Sequence, residues 1–514
     1  MKNVTQLIRL PRRGDPLRSP WFSFQSIFSI LALPAVLFLG VAIGAVGPVY
    51  SAVVAGTFIM VIIVLLRLDE LTVTLIVAVH ILVDSYLALD VYQVAMLMAL
   101  FLLFVCYFGR SADNPWTLPR SIWLWILFLI LNIYPTIIGG AFSLTNAIAF
   151  YLNLVLSAFI MFWLGNIIAK DISAVRRVFQ LLAIFALFIA IHTIIEATTG
   201  KFLFESARAE ATIAQSSNYQ LVQNGLQIVG ASVSRSGSFF GHPNGNGTFL
   251  AFVFFLPLGL FIESKQLWAK MIYLLETLLI LLALLFTYST GSWIAVVAGT
   301  VVFMFLVGRL RNSVLLLLLM AALAVLAFSV FPSQIATELY HANNQSDLSL
   351  HVGSWQTAVR VIEAFPLFGI GLGSQAYLVR AEPFRALAQT TPLAEPDNSF
   401  LEWGATAGIP VMLVFLLLLG FAFWFSWRNW LAIDTRYRSL LGGGIIALIA
   451  LSINSMVING WTGPGGVEYL GFLIAGIVAS PLIGHRLPQQ NVLVPLAGTR
   501  NGEASRIDRA KRGS

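Results

Sequence analysis

The sequence is short of charge: only 10% of its 514 residues are charged, whereas 58% are hydrophobic. A soluble domain contains about 25% charged residues and about 45–50% apolar ones, so a globular interior could not hide this much apolar surface. The mean hydropathy of +0.86 points the same way. Lipid is therefore the expected solvent for most of the chain.

Cysteine is almost absent as well. The single one, Cys106, lies inside an apolar run, which excludes a disulfide framework and a thiolate metal site. The sequence has no GxxxxGK[ST] nucleotide motif and no HExxH zinc motif. The Gly-x-Gly-x-Gly run at 369–373 follows a helix-like stretch and not a strand, so it predicts a flexible turn instead of a dinucleotide site. We expect no metal and no cofactor.

Long apolar runs are what the sequence does contain, and VLLLLLMAALAVLAFSVF at 314–331 is typical of them. Such runs favour helices over the short alternating strands of a barrel. We predict an all-α fold, a polytopic transmembrane helical bundle of about fourteen spans. The spans are expected near 27–46, 48–66, 71–90, 91–108, 122–139, 149–169, 178–197, 246–262, 271–289, 292–308, 314–331, 404–426, 440–458 and 467–484.

The placement of Lys and Arg predicts the topology. With the N-terminus inside, every connection expected inside carries basic residues, whereas three short connections expected outside carry none (139–148, 288–292 and 459–466). Cytoplasmic loops are enriched in Lys and Arg, so both termini should be cytoplasmic. We expect a basic tail at 1–21, one transmembrane domain at 22–484 and a disordered tail at 485–514. Because the basic residues lie at span ends, no nucleic-acid partner is expected.

Two outside segments, about 198–245 and 332–403, are far longer than the other connections. Loops of this length are usually functional or disordered. The second contains an apolar row at helical spacing, which predicts an amphipathic helix along the membrane surface, ended by Pro366. The row consists of Trp355, Ala358, Val359, Ile362 and Phe365. We expect the chemistry of the protein to lie in these two loops.

Both outer loops carry arginines, although the positive-inside rule disfavours them on this face. A guanidinium offers a planar fork of donors that matches phosphate oxygens, so these residues indicate an anionic ligand. His242 and Asn244 follow one of the arginines in a glycine-rich stretch; the alternative for His242 is a helix cap. The loop arginines are Arg208, Arg235, Arg360, Arg380 and Arg385.

Two pairs of ionisable residues lie inside predicted spans, each four residues apart: His80 with Asp84, and His192 with Glu196. Ionisable residues within a membrane are functional candidates by default. The alternative is that each pair is satisfied within the helical bundle. The second pair lies at the end of its span that opens towards the first outer loop.

Three stretches of the sequence resemble landmarks of the O-antigen ligase and polymerase superfamily. They are RSGSFFGHPN (235–244), WQTAVRVIEAFPLFGIGLGSQAY (355–377) and DNSFLEWGATAGIPV (397–411). The third aligns with a ligase motif of His, then Asn, Ser or Gln, nine residues, Gly, two residues, and Gly, Thr or Tyr. Asn398 and Gly408 fall in register, but Asp397 occupies the position of the motif His and Val411 the last position.

The resemblance implies a metal-independent glycosyltransferase that acts on undecaprenyl-diphosphate-linked glycans at the periplasmic face of the bacterial inner membrane. Its expected partners are that glycan, a glycan or lipid acceptor, membrane lipid and a chain-length regulator. Because Asp397 replaces the motif His, polymerisation of a surface polysaccharide is favoured over ligation. A flippase for lipid-linked sugars is the competing function, although no internal repeat supports it.

The resemblance also suggests roles for individual residues. A carboxylate can accept a hydroxyl proton, so Asp397 is either a general base or a cap for the following helix. The catalytic candidates are Asp397, His242 and Arg235. The substrate-binding candidates are Arg360, His351, Asn244, Asn398 and Arg380.

Overall fold

A computed structural model describes residues 69–84, 99–100, 102, 118–199, 236–240, 242–307, 325, 345–389, 395–463 and 467–484. The predicted tails at 1–21 and 485–514 lie outside these residues, as do the predicted spans at 27–46 and 48–66, nearly all of those at 91–108 and 314–331, and most of the first outer loop. The chain divides into two units, Met1–Leu75 and Ile76–Ser514. Residues 69–75 are the described part of the first unit, and the second unit contains all the other described residues.

All regular structure in the described ranges is helical, which confirms the predicted all-α fold class. Short 3-10 and π segments occur between or within the α-helices. The α-helices are α1 (Asp69–Asp84), α2 (Ile122–Leu131), α3 (Ile133–Phe150), α4 (Ser157–Ile168), α5 (Ile172–Thr199), α6 (Pro243–Val253), α7 (Phe255–Glu263), α8 (Leu267–Thr287), α9 (Thr290–Val307), α10 (Gln345–Ala364), α11 (Ser374–Arg380), α12 (Ser399–Ala407), α13 (Ile409–Ala432), α14 (Arg438–Asn454) and α15 (Val467–Ala479).

Within the described part of the chain, six helical stretches are long and apolar enough to cross a membrane. The stretch from Ile122 to Ile168 has 47 residues; at 1.5 Å per residue it would measure about 70 Å, more than twice the thickness of the hydrocarbon core. It breaks at Ser143 (φ −160°, ψ 105°), inside the predicted connection 139–148. The total number of spans remains a prediction. The other five stretches are Ile172–Thr199, Pro243–Glu263, Leu267–Thr287, Ile409–Ala432 and Thr435–Asn454.

Glycines let the helices of this bundle approach one another closely. Where α4 meets α15, a Cβ atom at Gly476 would overlap the carbonyl oxygen of Phe162, and Asn166 Nδ2 donates to the Gly476 carbonyl at 3.0 Å. Where α7 meets α14, a Cβ atom at Gly259 would lie 2.8 Å from the carbonyl oxygen of Ser439. In lipid, no hydrophobic driving force brings apolar helix surfaces together. Small residues at the contacts let helices associate through close van der Waals packing instead.

Helix α10 forms the predicted amphipathic element of the second outer loop, and it ends two residues before Pro366. Its buried row includes Ala358 and Val361, which pack in one cluster with Ile370, Tyr377, Ala381 and Ala405. Val359, a member of the predicted apolar row, is 41% exposed and lies outside this buried cluster. The helix is rotated so that positions 354, 357, 358 and 361 face the protein. Its position along a membrane surface remains a prediction.

The Gly-x-Gly-x-Gly run forms a turn, as predicted, but hydrogen bonds fasten it to its neighbours. The backbone N–H groups of Ile370 and Gly371 donate to the carbonyls of Ala405 and Thr406, both at 2.9 Å, and that of Leu372 donates to Pro135 at 3.0 Å. Gly371 has φ 108°, and a Cβ atom there would lie 2.6 Å from the backbone nitrogen of Gly139. The turn therefore joins the end of α12 to the first part of α3.

The glycine contact between α4 and α15 predicts that Gly476→Ala destabilises the protein, by roughly 1–3 kcal/mol for an overpacked interior. Thermal unfolding of the purified chain in detergent measures this. Gly420→Ala in α13 is the matched control, because no atom lies within 4 Å of a Cβ there, and alanine favours a helix by up to about 1 kcal/mol. Equal melting temperatures for the two variants would contradict the close contact.

Candidate functional site

Asp397 and His351 lie together in the second outer loop. His351 Nδ1 is 3.0 Å from Asp397 Oδ2. The side chain of His351 is 29% exposed and that of Asp397 is 35% exposed, so a ligand can reach both. Side chains on the same side of α10 also form hydrogen bonds with the backbone of Asp397. Its N–H donates to Ser354 Oγ and its carbonyl accepts from Trp355 Nε1, both at 3.1 Å. Residues 351, 354 and 355 are one turn apart on the helix, which is why one face of α10 can position Asp397.

Asn398 is the cap of α12. Its Oδ1 accepts from the backbone N–H groups of Phe400 and Leu401 at 2.9 and 3.0 Å, and its Nδ2 donates to the Met456 carbonyl at 2.9 Å. The alternative that Asp397 caps this helix was therefore wrong: the helix begins at Ser399, so the capping position is Asn398. The carboxylate of Asp397 remains turned towards His351.

Residues 455–462, which follow α14, are hydrogen-bonded to the start of α12. The sequence did not predict this contact. Ser399 donates its backbone N–H to the Ser455 carbonyl at 3.0 Å, and its Oγ accepts from the Trp461 N–H at 3.0 Å. Thr462 Oγ1 lies 3.1 Å from Ser399 Oγ and donates to Glu402 Oε2. A signal was present in the sequence, since Asn454, Asn459 and Thr462 interrupt the apolar run there.

A pair of buried carboxyl groups lies beside Asp397. Burial raises the pKa of Glu402 well above its usual value, the nearby Glu395 raises it further, and the hydrogen bond from Thr462 opposes the rise. Burial likewise raises the pKa of Glu395 to about 7, with a contribution from the charge of Asp397 and against a hydrogen bond from Asn459. Both carboxyl groups therefore ionise less readily in the folded chain than in water.

His242 is the N-cap of α6, which was the alternative interpretation of this residue: its Nδ1 accepts the N–H of Asn244 at 3.2 Å, and the residue is exposed. The carbonyl of Asn244 accepts from Thr248 Oγ1 at 2.7 Å, and Thr248 Oγ1 accepts from Asn454 Nδ2 at 2.6 Å. Asn454 ends α14, directly before the segment that holds Ser399. The end of the first loop and the Asp397 region thus meet at this segment.

The intramembrane pair His192 and Glu196 binds the turn that follows Arg235 in the sequence. Glu196 Oε2 accepts from Ser236 Oγ at 2.8 Å and from the Ser238 N–H at 2.9 Å, and His192 Nδ1 is 2.9 Å from Ser238 Oγ. All four residues are buried. Arg235 itself lies outside the described residues. The pair anchors the turn next to it.

His80, predicted to pair with Asp84, also has neighbours on α15. Its Nε2 is 4.0 Å from Glu468 Oε1 of α15, and its ring stacks on Tyr469 at a centroid distance of 4.3 Å. The side chain of Asp84 lies outside the described residues. A buried histidine that stacks on an aromatic ring and adjoins a carboxylate fits the alternative that this group is satisfied within the bundle.

The loop arginines differ in how many contacts their guanidinium groups make within the protein. Arg380 Nη1 donates to the Ile370 carbonyl at 2.9 Å, and its guanidinium lies over the rings of Phe142 and Phe365. Arg385 pairs with Glu382 at 2.9 Å. Arg360 is exposed, and its Nη1 reaches the carbonyls of residues 384 and 385 only at 3.5 Å. Among the described loop arginines, Arg360 is the one best placed to receive an anion.

Comparison with known families identifies this region. Residues 275–416 match the family model described as O-antigen ligase. This confirms the resemblance to the O-antigen ligase and polymerase superfamily. The match contains Asp397, His351 and Arg360, whereas Arg235 and His242 precede it. A search of curated proteins found no match.

The match supports a role in membrane glycan processing for surface-polysaccharide synthesis, and the matched family implies a glycosyltransferase-like enzyme. The apolar helices agree with a multi-pass membrane protein. Members of the family act on lipid-linked glycans and acceptors.

The buried carboxyl pair predicts a pH-dependent stability. Glu395 and Glu402 have raised pKa values in the folded chain, so the unfolded chain ionises first as the pH rises. Stability is unaffected well below pH 4.5 and falls as the pH passes through about 7. Glu402→Gln should therefore raise the melting temperature at pH 8 and have little effect at pH 4.5.

Thermal unfolding between pH 4.5 and 8 tests this difference. Glu363→Gln, at an exposed position of α10, is the matched control and should leave the pH dependence unchanged. If Glu402→Gln and the control follow the wild-type curve alike, the fold does not raise the pKa of Glu402.

Proposed function

We propose that the protein polymerises undecaprenyl-diphosphate-linked glycans on the periplasmic face of the inner membrane, with transfer to another acceptor as the second outcome of the same chemistry. The observation that carries the proposal is the contact between His351 and Asp397. It supplies an imidazole where the aligned motif lacks its His, because α10 brings one from 46 residues earlier in the chain.

The acceptor half of the reaction is assigned to this dyad. The Asp397 carboxylate, 3.0 Å from His351 Nδ1, favours the tautomer with the proton on Nδ1, so that Nε2 is the proton acceptor. A neutral imidazole is a suitable base near neutral pH. His351 removes the proton of the acceptor hydroxyl, and Asp397 stabilises the imidazolium that forms. This reverses the roles expected from the sequence, in which Asp397 or His242 was the base and His351 positioned substrate.

The donor half requires stabilisation of a leaving diphosphate. The acceptor oxygen attacks the anomeric carbon of the donor sugar, the bond from that carbon to the phosphate oxygen breaks, and undecaprenyl diphosphate leaves with the electron pair. Fixed cations at the developing charge are usually the largest catalytic contribution. We assign this to Arg235 and Arg360, so that the step requires no metal.

The remaining candidates are assigned to positioning. His242 and Asn244 begin α6 next to the Arg235 stretch, Asn398 fixes the start of α12, and Arg380 holds the glycine turn through the Ile370 carbonyl. Polymerisation is favoured over ligation because the dyad replaces the single His of the aligned ligase motif. A chain-length regulator would then be a natural partner.

The dyad predicts that His351→Ala and Asp397→Asn each reduce glycan transfer by roughly 10²–10⁴-fold, the usual worth of a positioned base. The assay uses the purified full-length chain, a synthetic lipid-diphosphate glycan and an acceptor, with products resolved by size. Asp171→Asn is the matched control. Asp171 caps α5 through Ala174 on a different connection, and asparagine preserves a cap.

Full activity in both dyad variants would contradict the proposed base. Movement of the lipid-linked glycan across the membrane without any new glycosidic bond would instead favour the flippase.

A further inference from the structure

A basic cavity of about 690 Å³ lies away from the candidate site. Its wall includes Lys265 and Lys270 from the turn before α8 and from its first part, and Arg436 and Arg438 from the turn before α14 and its first residue. The hydroxyl groups of Ser264, Thr435 and Ser439 line the same space. The turns before α8 and before α14 thus contribute basic and hydroxyl-bearing residues to one concave surface.

The described part of the chain leaves the cations of this cavity without a neutralising carboxylate. No carboxylate of the described residues lies within 4 Å of the four basic side chains. The one carboxylate in the wall, Glu263, already pairs with Arg176. Asp434 uses its Oδ1 to cap the neighbouring turn, accepting the Arg436 N–H at 2.9 Å. In the described part of the chain, the buried Nε of Arg438 finds no acceptor.

Trp430, with Ile262 and Leu306, forms the apolar side of the cavity. The guanidinium of Arg438 lies 5.2 Å from the ring centre of Trp430, and Trp427 stacks on Trp430 at 5.0 Å. Outside the cavity wall, Trp268 and Trp427 are 65% and 41% exposed. Tryptophans are enriched at the boundary between membrane and water, which agrees with a cavity near the ends of α8 and α13.

The cavity lies at the helix ends opposite the candidate site. The helical stretch from Pro243 to Glu263 has the capping His242 at its start and the cavity residue Glu263 at its end. Helix α13 begins beside α12 and ends next to Trp430; its 24 residues span about 36 Å. A ligand in the cavity is therefore not the glycan at the dyad.

We propose that this cavity binds a phosphate-bearing anion, with the ammonium and guanidinium groups on the phosphate oxygens and Trp430 against the apolar part. Arginine matches phosphate oxygens in pairs and lysine acts as a compact charge. The source is either the headgroup of an anionic phospholipid or a soluble diphosphate. The proposal does not depend on the glycosyltransferase mechanism.

The test uses the purified full-length chain with two probes. In the first arm, native mass spectrometry measures retention of phosphatidylglycerol against phosphatidylcholine; in the second, inorganic pyrophosphate is titrated in neutral detergent. We expect binding of at least one anionic probe, weakened about 10-fold or more by Arg436→Gln with Arg438→Gln, since each surface cation near anionic lipid contributes about a fivefold factor.

Lys265→Gln with Lys270→Gln provides a second pair of variants should the arginine pair fold poorly. Arg428→Gln, an exposed arginine of α13 outside the cavity wall, is the matched control and should bind as the wild type does. Binding of the lipid alone identifies a headgroup, and binding of pyrophosphate alone identifies a soluble anion. No anion preference, or one that both cavity pairs leave unchanged, would overturn the proposal.

Discussion

The position of the candidate site depends on the hydrogen bonds of Ser399. They fasten the first residue of α12 to Ser455 and Trp461, in the segment that follows α14. Asn398 adds a bond to Met456 and caps the helix. Asp397 directly precedes this fixed end of the loop and lies against α10, where its Oδ2 is 3.0 Å from His351 Nδ1. Without the Ser399 bonds, Asp397 would be held to α10 only through Ser354, Trp355 and His351.

The polar groups of this protein are concentrated at the ends of its helices, as a lipid environment requires. At one end lie the dyad and the carboxyl pair, and hydrogen bonds of α6 connect the turn held by Glu196 to the end of α14. At the other end, basic side chains without a carboxylate partner among the described residues surround a cavity. Between them the helices touch through glycines such as Gly476 and Gly259, where backbone contact replaces side-chain packing.

Much of the fold could be predicted because the relevant signals are local. Apolar runs predicted helices that the structure contains, and the break at Ser143 falls inside the connection predicted between two of these runs. The helix before Pro366 was also predicted from its spacing. Val359 and Val361 are both apolar, however, and only packing against Ile370 and Ala405 shows which of them is buried.

The arrangement of the site could not be predicted in the same way. His351 and Asp397 are on different elements, so no spacing rule connects them. The raised pKa values of Glu395 and Glu402 arise from burial and mutual proximity, which depend on the segment around Thr462. Likewise, Arg380 has the same side chain as Arg360, and only the fold shows that Ile370 and two aromatic rings occupy it.

The central claim is that His351 and Asp397 act as one unit, and a double-mutant cycle on glycan transfer tests it most directly. Residues that act together are strongly non-additive. We predict that His351→Ala combined with Asp397→Ala is about as slow as His351→Ala alone. If the two losses instead multiply, the side chains act independently and the proposed dyad is wrong.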